Sequence, residues 1–281
     1  MDDVVLELRG LGKDYGERRA VDAIDLDVRR GEIFGMLGPN GAGKTSTISM
    51  ACGVMPPSRG HARIDGHDIV RDRFAAKRAI GLVPQDLALY DELTPRQNLT
   101  YFAELYGLAG AELTARVAWA LGVAGLTDRA DDRVKTFSGG MKRRLNLTAG
   151  MIHKPTLLVC DEPTVGVDPQ SRRHIFEAIK QLRADGMTIL YTSHYMEEVE
   201  ELCDRVAIMD GGKVVACGTL DELTRAHGTD RVALELSGDP AVLEAAMAAI
   251  AQSGATVERR GAAGNLEAVF LALTGRGLRD E

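Results

Sequence analysis

The feature that most limits what this chain can fold into is a junction: the apolar run of EIFGML (residues 32–37) passes straight into GPNGAGKTS (38–46). An unbroken apolar run suits a strand buried on both faces, and the segment from about Lys44 to Val54 reads as the helix that follows. The intervening loop matches G-x-x-x-x-G-K-[ST] in full, with the strand before and helix after that the pattern requires. Its glycines let backbone N–H groups wrap phosphates, Lys44 can reach β- and γ-phosphates, and the Thr45 hydroxyl can face Mg²⁺. Strand and helix patterns alternate downstream as well. The predicted fold class is therefore α/β, a wound and mainly parallel sheet with an antiparallel β edge.

The antiparallel edge comes from the first thirty residues, where AIDLDV alternates apolar Ile24, Leu26 and Val28 with acids. Short strands are expected near Ala62–Ile64 and Ile80–Val83. From about Asp86 to Lys135 the pattern turns helical. Thr94 is placed as an N-cap, Pro95 at the first helical position, and Leu99, Phe102, Ala103 and Tyr106 on one face. AELTARVAWALGVAGL continues helically, and with the next helix this makes an inserted helical subdomain over about 86–150. Strand TLLVCD, a helix from about Pro169 to Asp185, strand TILYTS and a helix around Met196–Leu202 follow. Gly211 and Gly212 then fit a hairpin turn between VAIMD and KVVAC. The expected division is a main domain over 1–227 and a small C-terminal β-α-β-α appendix over 228–281. Its strands are placed in RVALEL and ATVERR, and its helices in DPAVLEAAMAAIAQSG and NLEAVFLALTG.

Composition removes several classes of function. The 281 residues carry a formal charge of −7 with basic residues spread throughout, so no nucleic-acid-binding face is expected. No apolar run reaches the roughly 18 residues of a membrane span, and MDDVVLELRG is not a signal peptide. Cys52, Cys160, Cys203 and Cys217 lack CxxC spacing and read as reduced thiols rather than as metal ligands or disulfides.

Three further stretches carry chemistry. TLLVCDEP delivers Asp161 to the outer shell of a metal and Glu162 to an attacking water, although an Asp-Glu pair at a strand end also serves as a plain helix cap. His194, after TILYTS, ends a strand at the same sheet edge as the phosphate loop and can meet a γ-phosphate; a lone histidine is otherwise structural or solvated. Gln85 sits at the joint between the core and the helical lobe, where it can report phosphate and metal occupancy. TFSGGMKRRLNL (136–147) is a second anion-binding helix start. Met141, Leu145, Thr148 and Ile152 fall on one face, and Ser138, Gly139 and Gly140 leave free N–H groups at the positive end of the dipole.

In this order the motifs resemble the ATPase subunits of ATP-binding-cassette (ABC) transporters, over roughly residues 4–220. The resemblance explains the second helix start. Ser138, Gly139 and Gly140 match the family signature and would close over the γ-phosphate held by a second copy, so that two ATPs are shared in a head-to-tail homodimer. It implies that Tyr15 stacks on adenine with Ala20 and Val21 flanking the base. Gly38, Pro39, Asn40, Gly41, Ala42, Gly43, Lys44, Thr45 and Ser46 would hold the phosphates. Thr45 and Gln85 would bind Mg²⁺, Asp168 would touch the partner copy, Glu162 would be the catalytic carboxylate and His194 the switch. Phe137 and Met141 depart from the usual leucine and glutamine; the anion contacts come from the serine and glycines, so closure is expected to survive.

LTPRQNLTYFAELYGL, DEPTVGVDPQSR and the ending LEAVFLALTGRGLRD resemble the bacterial drug-resistance (daunorubicin-type) and sodium-export group. That likeness implies an ATP-hydrolysing exporter subunit at the cytoplasmic face of the plasma membrane, working with a separately encoded permease. An importer ATPase and a soluble non-transport ABC ATPase are the alternatives. The permease surface is expected near Gln85–Leu99. The cargo is not written in this chain.

Overall fold

The computed structural model describes residues 4–227 and, beyond them, positions 242, 245, 249, 250, 269, 270, 273 and 274. The chain opens with the long strands β1 (Val4–Tyr15) and β2 (Arg18–Arg29), followed by β3 (Ile33–Leu37), helix α1 (Lys44–Ala51), β4 (Arg59–Ile64) and β5 (His67–Asp68). Short α2 (Arg73–Arg78) leads into β6 (Ile80–Val83). Then come α3 (Pro95–Leu105), α4 (Gly110–Ala124) and α5 (Gly139–Gly150), β7 (Leu157–Asp161), α6 (Pro169–Ala184) and β8 (Thr188–Ser193). Helix α7 (Met196–Leu202), the hairpin β9 (Arg205–Asp210) and β10 (Lys213–Gly218), and α8 (Leu220–His227) complete the described main fold.

Two sheets organise these elements. One is antiparallel in the order β2-β1-β4-β5, and the other runs β10-β9-β3-β8-β7-β6. In the second, β9, β3, β8, β7 and β6 are mutually parallel and only β10 is antiparallel, closing on β9. Every residue of β3, β7 and β8 is buried, as central parallel strands covered on both faces must be. The alternation in AIDLDV does what its period demands: Ile24, Leu26 and Val28 pair with Leu11, Leu8 and Leu6 of β1, and all six are buried. Gly211 and Gly212 have φ of +53° and +79°, the backbone of a two-residue hairpin turn whose twist suits the flanking strands.

The parallel register has one functional consequence. Strands β3, β6, β7 and β8 all point the same way, so the residues just past their C-terminal ends (Gly38, Gln85, Glu162 and His194) arrive at one sheet edge. Residues scattered over about 150 positions of sequence become neighbours there, where ligands of wound α/β sheets bind.

Helices α3, α4 and α5 pack on one another around Leu99, Val117, Leu121, Val134, Phe137 and Leu145, an apolar cluster separate from those of the sheets. The start of α3 is a full capping box: Thr94 Oγ1 accepts from the Gln97 amide at 3.2 Å and Gln97 Oε1 accepts from the Thr94 amide at 3.0 Å, with Pro95 as the first helical residue. Phe137, which departs from the usual leucine of the signature, is buried in this core.

Two local expectations differ. Helix α1 ends at Ala51 rather than Val54, because the chain turns through Gly53 at φ +63°. Strand β5 and helix α2 lie between Ile64 and Ile80, where the sequence reading assigns no element; RFAAKR is too short and too charged to show an apolar period. The strands expected in RVALEL and ATVERR lie outside the described residues. Val269 and Phe270 are helical and buried, packed in the same cluster as Leu223, Val206 and Ile33.

Candidate active site

The site grows from the loop between β3 and α1. Gly43 is the N-cap of α1 at φ +99°, and a Cβ there would lie 2.8 Å from the Ala20 carbonyl, so the loop can turn this way only with glycine. Gly38 is equally constrained by space: its Cβ would sit 2.4 Å from the Met209 carbonyl of β9. The result is a loop pressed between β9 and β2 with its N–H groups at the start of α1, a natural anion cradle.

A cavity of about 310 Å³ opens over this loop. Tyr15, Arg18 and Ala20 form one wall, residues 40–46 the floor, and Gln85 and Glu162 the far side. Tyr15 is 48% exposed and presents its ring as a platform, while Val21 is fully buried and faces the core instead of the cavity. Arg18 is the wall residue that sequence reasoning missed. No motif marks it; it enters because the β1–β2 turn carries it in beside Tyr15.

Glu162 occupies the centre of the charge arrangement. Its Oε1 lies 3.3 Å from Lys44 Nζ and its Oε2 3.3 Å from His194 Nδ1. The imidazole approaches at an angle that makes no hydrogen bond, so Nδ1 is buried without a partner and is free to turn toward another acceptor. Lys44 also donates to the Gly38 carbonyl at 2.6 Å and the Pro39 carbonyl at 3.1 Å. Glu162 has φ +45°, a left-handed backbone that costs a non-glycine residue roughly 1 kcal/mol or more. That conformation is fixed from β8, where Thr192 Oγ1 accepts the Glu162 amide at 3.0 Å.

Thr192 also donates to Asp161 Oδ1 at 2.7 Å, and the Thr45 hydroxyl bonds the same carboxylate. Burial pushes the Asp161 pKa above the ordinary carboxylate range; the Thr192 and Thr45 hydrogen bonds and Lys44 pull it back, and the charge of Glu162 pushes it further up. The Asp161 carboxylate, the Thr45 hydroxyl bonded to it and the Gln85 side-chain carbonyl at the cavity wall offer an all-oxygen donor set. Such a set fits Mg²⁺, a hard cation that takes few protein ligands and completes its shell with water and phosphate oxygens.

The second helix start lies elsewhere. Ser138 caps α5, its Oγ accepting from the Met141 amide at 3.3 Å. Asp168 caps α6, accepting from the Ser171 amide at 2.9 Å, and that bond holds its pKa below the usual range. These two starts adjoin: a Cβ on Gly140 would meet Ser171 Oγ at 1.9 Å and Asp168 Oδ2 at 3.2 Å, whereas one on Gly139 meets nothing within 4 Å. Ser138, Gly139, Gly140 and Asp168 are thus brought together with each other, and none of them lines the cavity. Arg143 of α5 links this region to the site by donating to the Gln85 carbonyl and, at 3.2 Å, to the Val165 carbonyl.

A buried network behind His194 was also missed. Glu198 of α7 is 2% exposed and accepts from Thr164 Oγ1 at 2.8 Å, Tyr191 OH at 2.9 Å and Ser193 Oγ at 2.7 Å. It ties the segment after Glu162 to the strand end before His194.

A phosphate loop, an acid pair and a histidine on one edge of a parallel sheet, with a helical lobe inserted after the glutamine, define a P-loop nucleoside-triphosphate-binding protein. Residues 21–165 match the ABC transporter family, and the chain belongs to that family, as an ATP-binding ATPase subunit. It is 49% identical over 83% of its length to the linearmycin resistance ATP-binding protein of Bacillus subtilis (strain 168), covering 76% of that protein. It is 40% identical over 92% of its length to a daunorubicin resistance ATP-binding protein of Streptomyces coeruleorubidus, covering 81% of it. A solved structure of an ATP binding subunit of an ABC transporter superposes with a TM-score of 0.73 and 32% identity, over 79% of this chain and 92% of that one. Among the described residues no helix is long and apolar enough to cross a membrane.

Proposed function

We propose that this chain powers export: two copies bind two MgATP between them, close head to tail, and drive a separately encoded membrane permease from the cytoplasmic face. The observation that carries the reading is the position of Glu162, buried between Lys44 and His194 at the wall of the phosphate-loop cavity. Export rather than import is favoured by the relatives, whose names speak of resistance to linearmycin and daunorubicin. The transported compound of this system is left to its permease.

The residues divide the work as follows. Tyr15 and Ala20 receive the base, and the amides of 38–46 cradle the phosphates. When triphosphate enters, Lys44 exchanges the Gly38 and Pro39 carbonyls for phosphate oxygens and releases its hold on Glu162. Glu162, fixed by its strained backbone and by Thr192, then polarises the water that attacks the γ-phosphate in line, while Lys44 and His194 Nδ1 stabilise the developing charge. Mg²⁺, held through Thr45 and Gln85 with Asp161 behind them, neutralises phosphate charge when bound. Ser138, Gly139, Gly140 and Asp168 act on the nucleotide of the other copy.

The test is the Glu162→Gln variant. It keeps the shape of the site and removes the base, so hydrolysis should fall by about a hundredfold or more while ATP binding remains. With MgATP the variant should elute as a dimer, and without it as a monomer. Hydrolysis at near wild-type rate would remove Glu162 from its role; a variant that binds ATP yet stays monomeric would remove the two-site sandwich.

A further inference from the structure

Helix α2, which the sequence does not announce, carries the most exposed large apolar side chain of the described fold. Phe74 is 88% exposed, with Val70 at 59% and Val54 at 64%. The segments that carry them adjoin: a Cβ on Gly53, next to Val54, would lie 2.9 Å from Ile69, next to Val70, and 3.4 Å from Lys77 Cε, one turn beyond Phe74. Around them stand Arg71, Arg73, Lys77 and Arg78, all exposed. None of the four makes an ion pair among the described residues, although many arginines of this fold do, from Arg9 and Arg19 to Arg183 and Arg205. Phe74, Lys77 and Arg78 share one helix face by their spacing, while Ala76 on the opposite face is fully buried. Asp68 and Asp72 lie in the same segment and Arg71 acts electrostatically on Asp68, so four cations stand against two carboxylates, a local excess of positive charge around projecting apolar groups in a chain whose net charge is −7.

That combination fits one surface well. Cations beside an anionic bilayer gain from its negative potential, and aromatic side chains among them enter the headgroup boundary. The apolar groups here project rather than line a groove, which suits a soft lipid surface better than a shape-complementary protein one. We propose that the face formed by Val54, Val70, Phe74 and the four cations of residues 71–78 docks on the surface of an anionic lipid bilayer, holding the subunit at the membrane independently of its permease.

The experiment is flotation of the full-length chain alone with vesicles of pure phosphatidylcholine and of phosphatidylcholine containing about one-third phosphatidylglycerol. Binding should be seen only with the anionic vesicles and should fall as salt is raised. An Arg73→Glu, Arg78→Glu double reversal should weaken it at least tenfold, since each cation contributes about fivefold. Phe74→Ser should weaken it while leaving the salt dependence in place. Arg173→Glu, a reversal of an exposed arginine on α6, should leave it unchanged, and all variants should keep wild-type ATPase activity in solution. Absence of flotation with anionic vesicles overturns the proposal, as does binding that survives the double reversal or falls equally with Arg173→Glu. If the double reversal strips the permease from the purified complex while vesicle binding is unaltered, the face is a protein interface and the lipid assignment falls. Because flotation needs neither nucleotide nor permease, its failure is distinct from failure of the export reading.

Discussion

Glu198 shows how much a single side chain can hold. Three hydroxyls, from Thr164, Tyr191 and Ser193, donate to its carboxylate in a site with 2% exposure, and Arg172 stands 3.6 Å away without a hydrogen bond. Burial and the Glu198 charge both push the Tyr191 hydroxyl pKa upward, so it stays a donor at any physiological pH. Replacing Glu198 by alanine strips three buried donors of their acceptor at once. We expect a loss of about 3 kcal/mol, read as a fall in Tm of roughly 6–12 °C, and a smaller loss for Glu198→Gln, which keeps one acceptor oxygen. Equal Tm for Glu198→Ala and wild type would show that the network carries no stability. The sequence hides this residue for a physical reason. MEEVEEL offers four glutamates on a short helix, and only the tertiary placement of α7 against β8 decides that Glu198 turns inward while Glu197 and Glu201 stay exposed. Gly38, Lys44, Glu162 and His194, by contrast, were legible because each follows a strand made visible by an apolar run.

At the scale of elements, His153 is the tie between lobe and sheet. Its ring stacks on Tyr106 at the end of α3, with centroids 3.6 Å apart and planes 2° from parallel, and its Nε2 lies 2.9 Å from the Ile80 carbonyl of β6. Burial lowers its pKa from 6.5 to about 4; the Ile80 hydrogen bond pulls it back up and Arg116 pushes it further down. The unfolded chain therefore binds a proton between pH 6.5 and 4 that the folded chain refuses. The stabilisation is complete above the unfolded value and is lost as pH falls toward the folded one. Since the ring is only partly buried, the slope should be at most ~1 kcal/mol per pH unit. The His153→Phe variant keeps the stack and removes the titration, so its Tm should fall less than that of the wild type between about pH 7 and about pH 5. Equal falls would place the titrating group elsewhere. Elements differ in legibility as residues do. Capping at Thr94 and Pro95 marks α3 and a glycine pair marks the β9–β10 turn, because these signals are local. The order β9-β3-β8-β7-β6 and the short α2 are set by long-range pairing and packing, which no local pattern encodes.

At the scale of the whole molecule, the two anion-binding helix starts do not meet within one chain. Lys44 and Glu162 line the cavity, whereas Ser138 and Gly139 sit beside the Asp168 cap of α6 and away from it. If each site is completed across a two-fold axis, two differently broken chains must repair one another. A Lys44→Ala chain has no working phosphate loop but an intact signature; a Ser138→Arg chain has the reverse, since a bulky cation blocks the N-terminus of α5. In any dimer that either variant forms alone, both sites contain a defect. In a mixed dimer the defects fall together in one site, and the other pairs an intact loop with an intact signature. With random pairing in equal amounts, about half the dimers are mixed and each has one working site of two, so roughly a quarter of wild-type ATPase activity should return, provided the sites act independently and one bound ATP suffices to hold the pair. Mixing either variant with a chain that is both Lys44→Ala and Ser138→Arg should restore none. Recovery in the first mixture and not in the second requires that Ser138 act on a neighbour's nucleotide; failure to recover in both, with ATP binding to the Ser138→Arg chain intact, would mean either that both sites must fire together or that another subunit completes the site. Those two cases separate by joining the chains in tandem: a fused wild-type pair should hydrolyse ATP as a monomeric polypeptide only if two copies of this chain are sufficient.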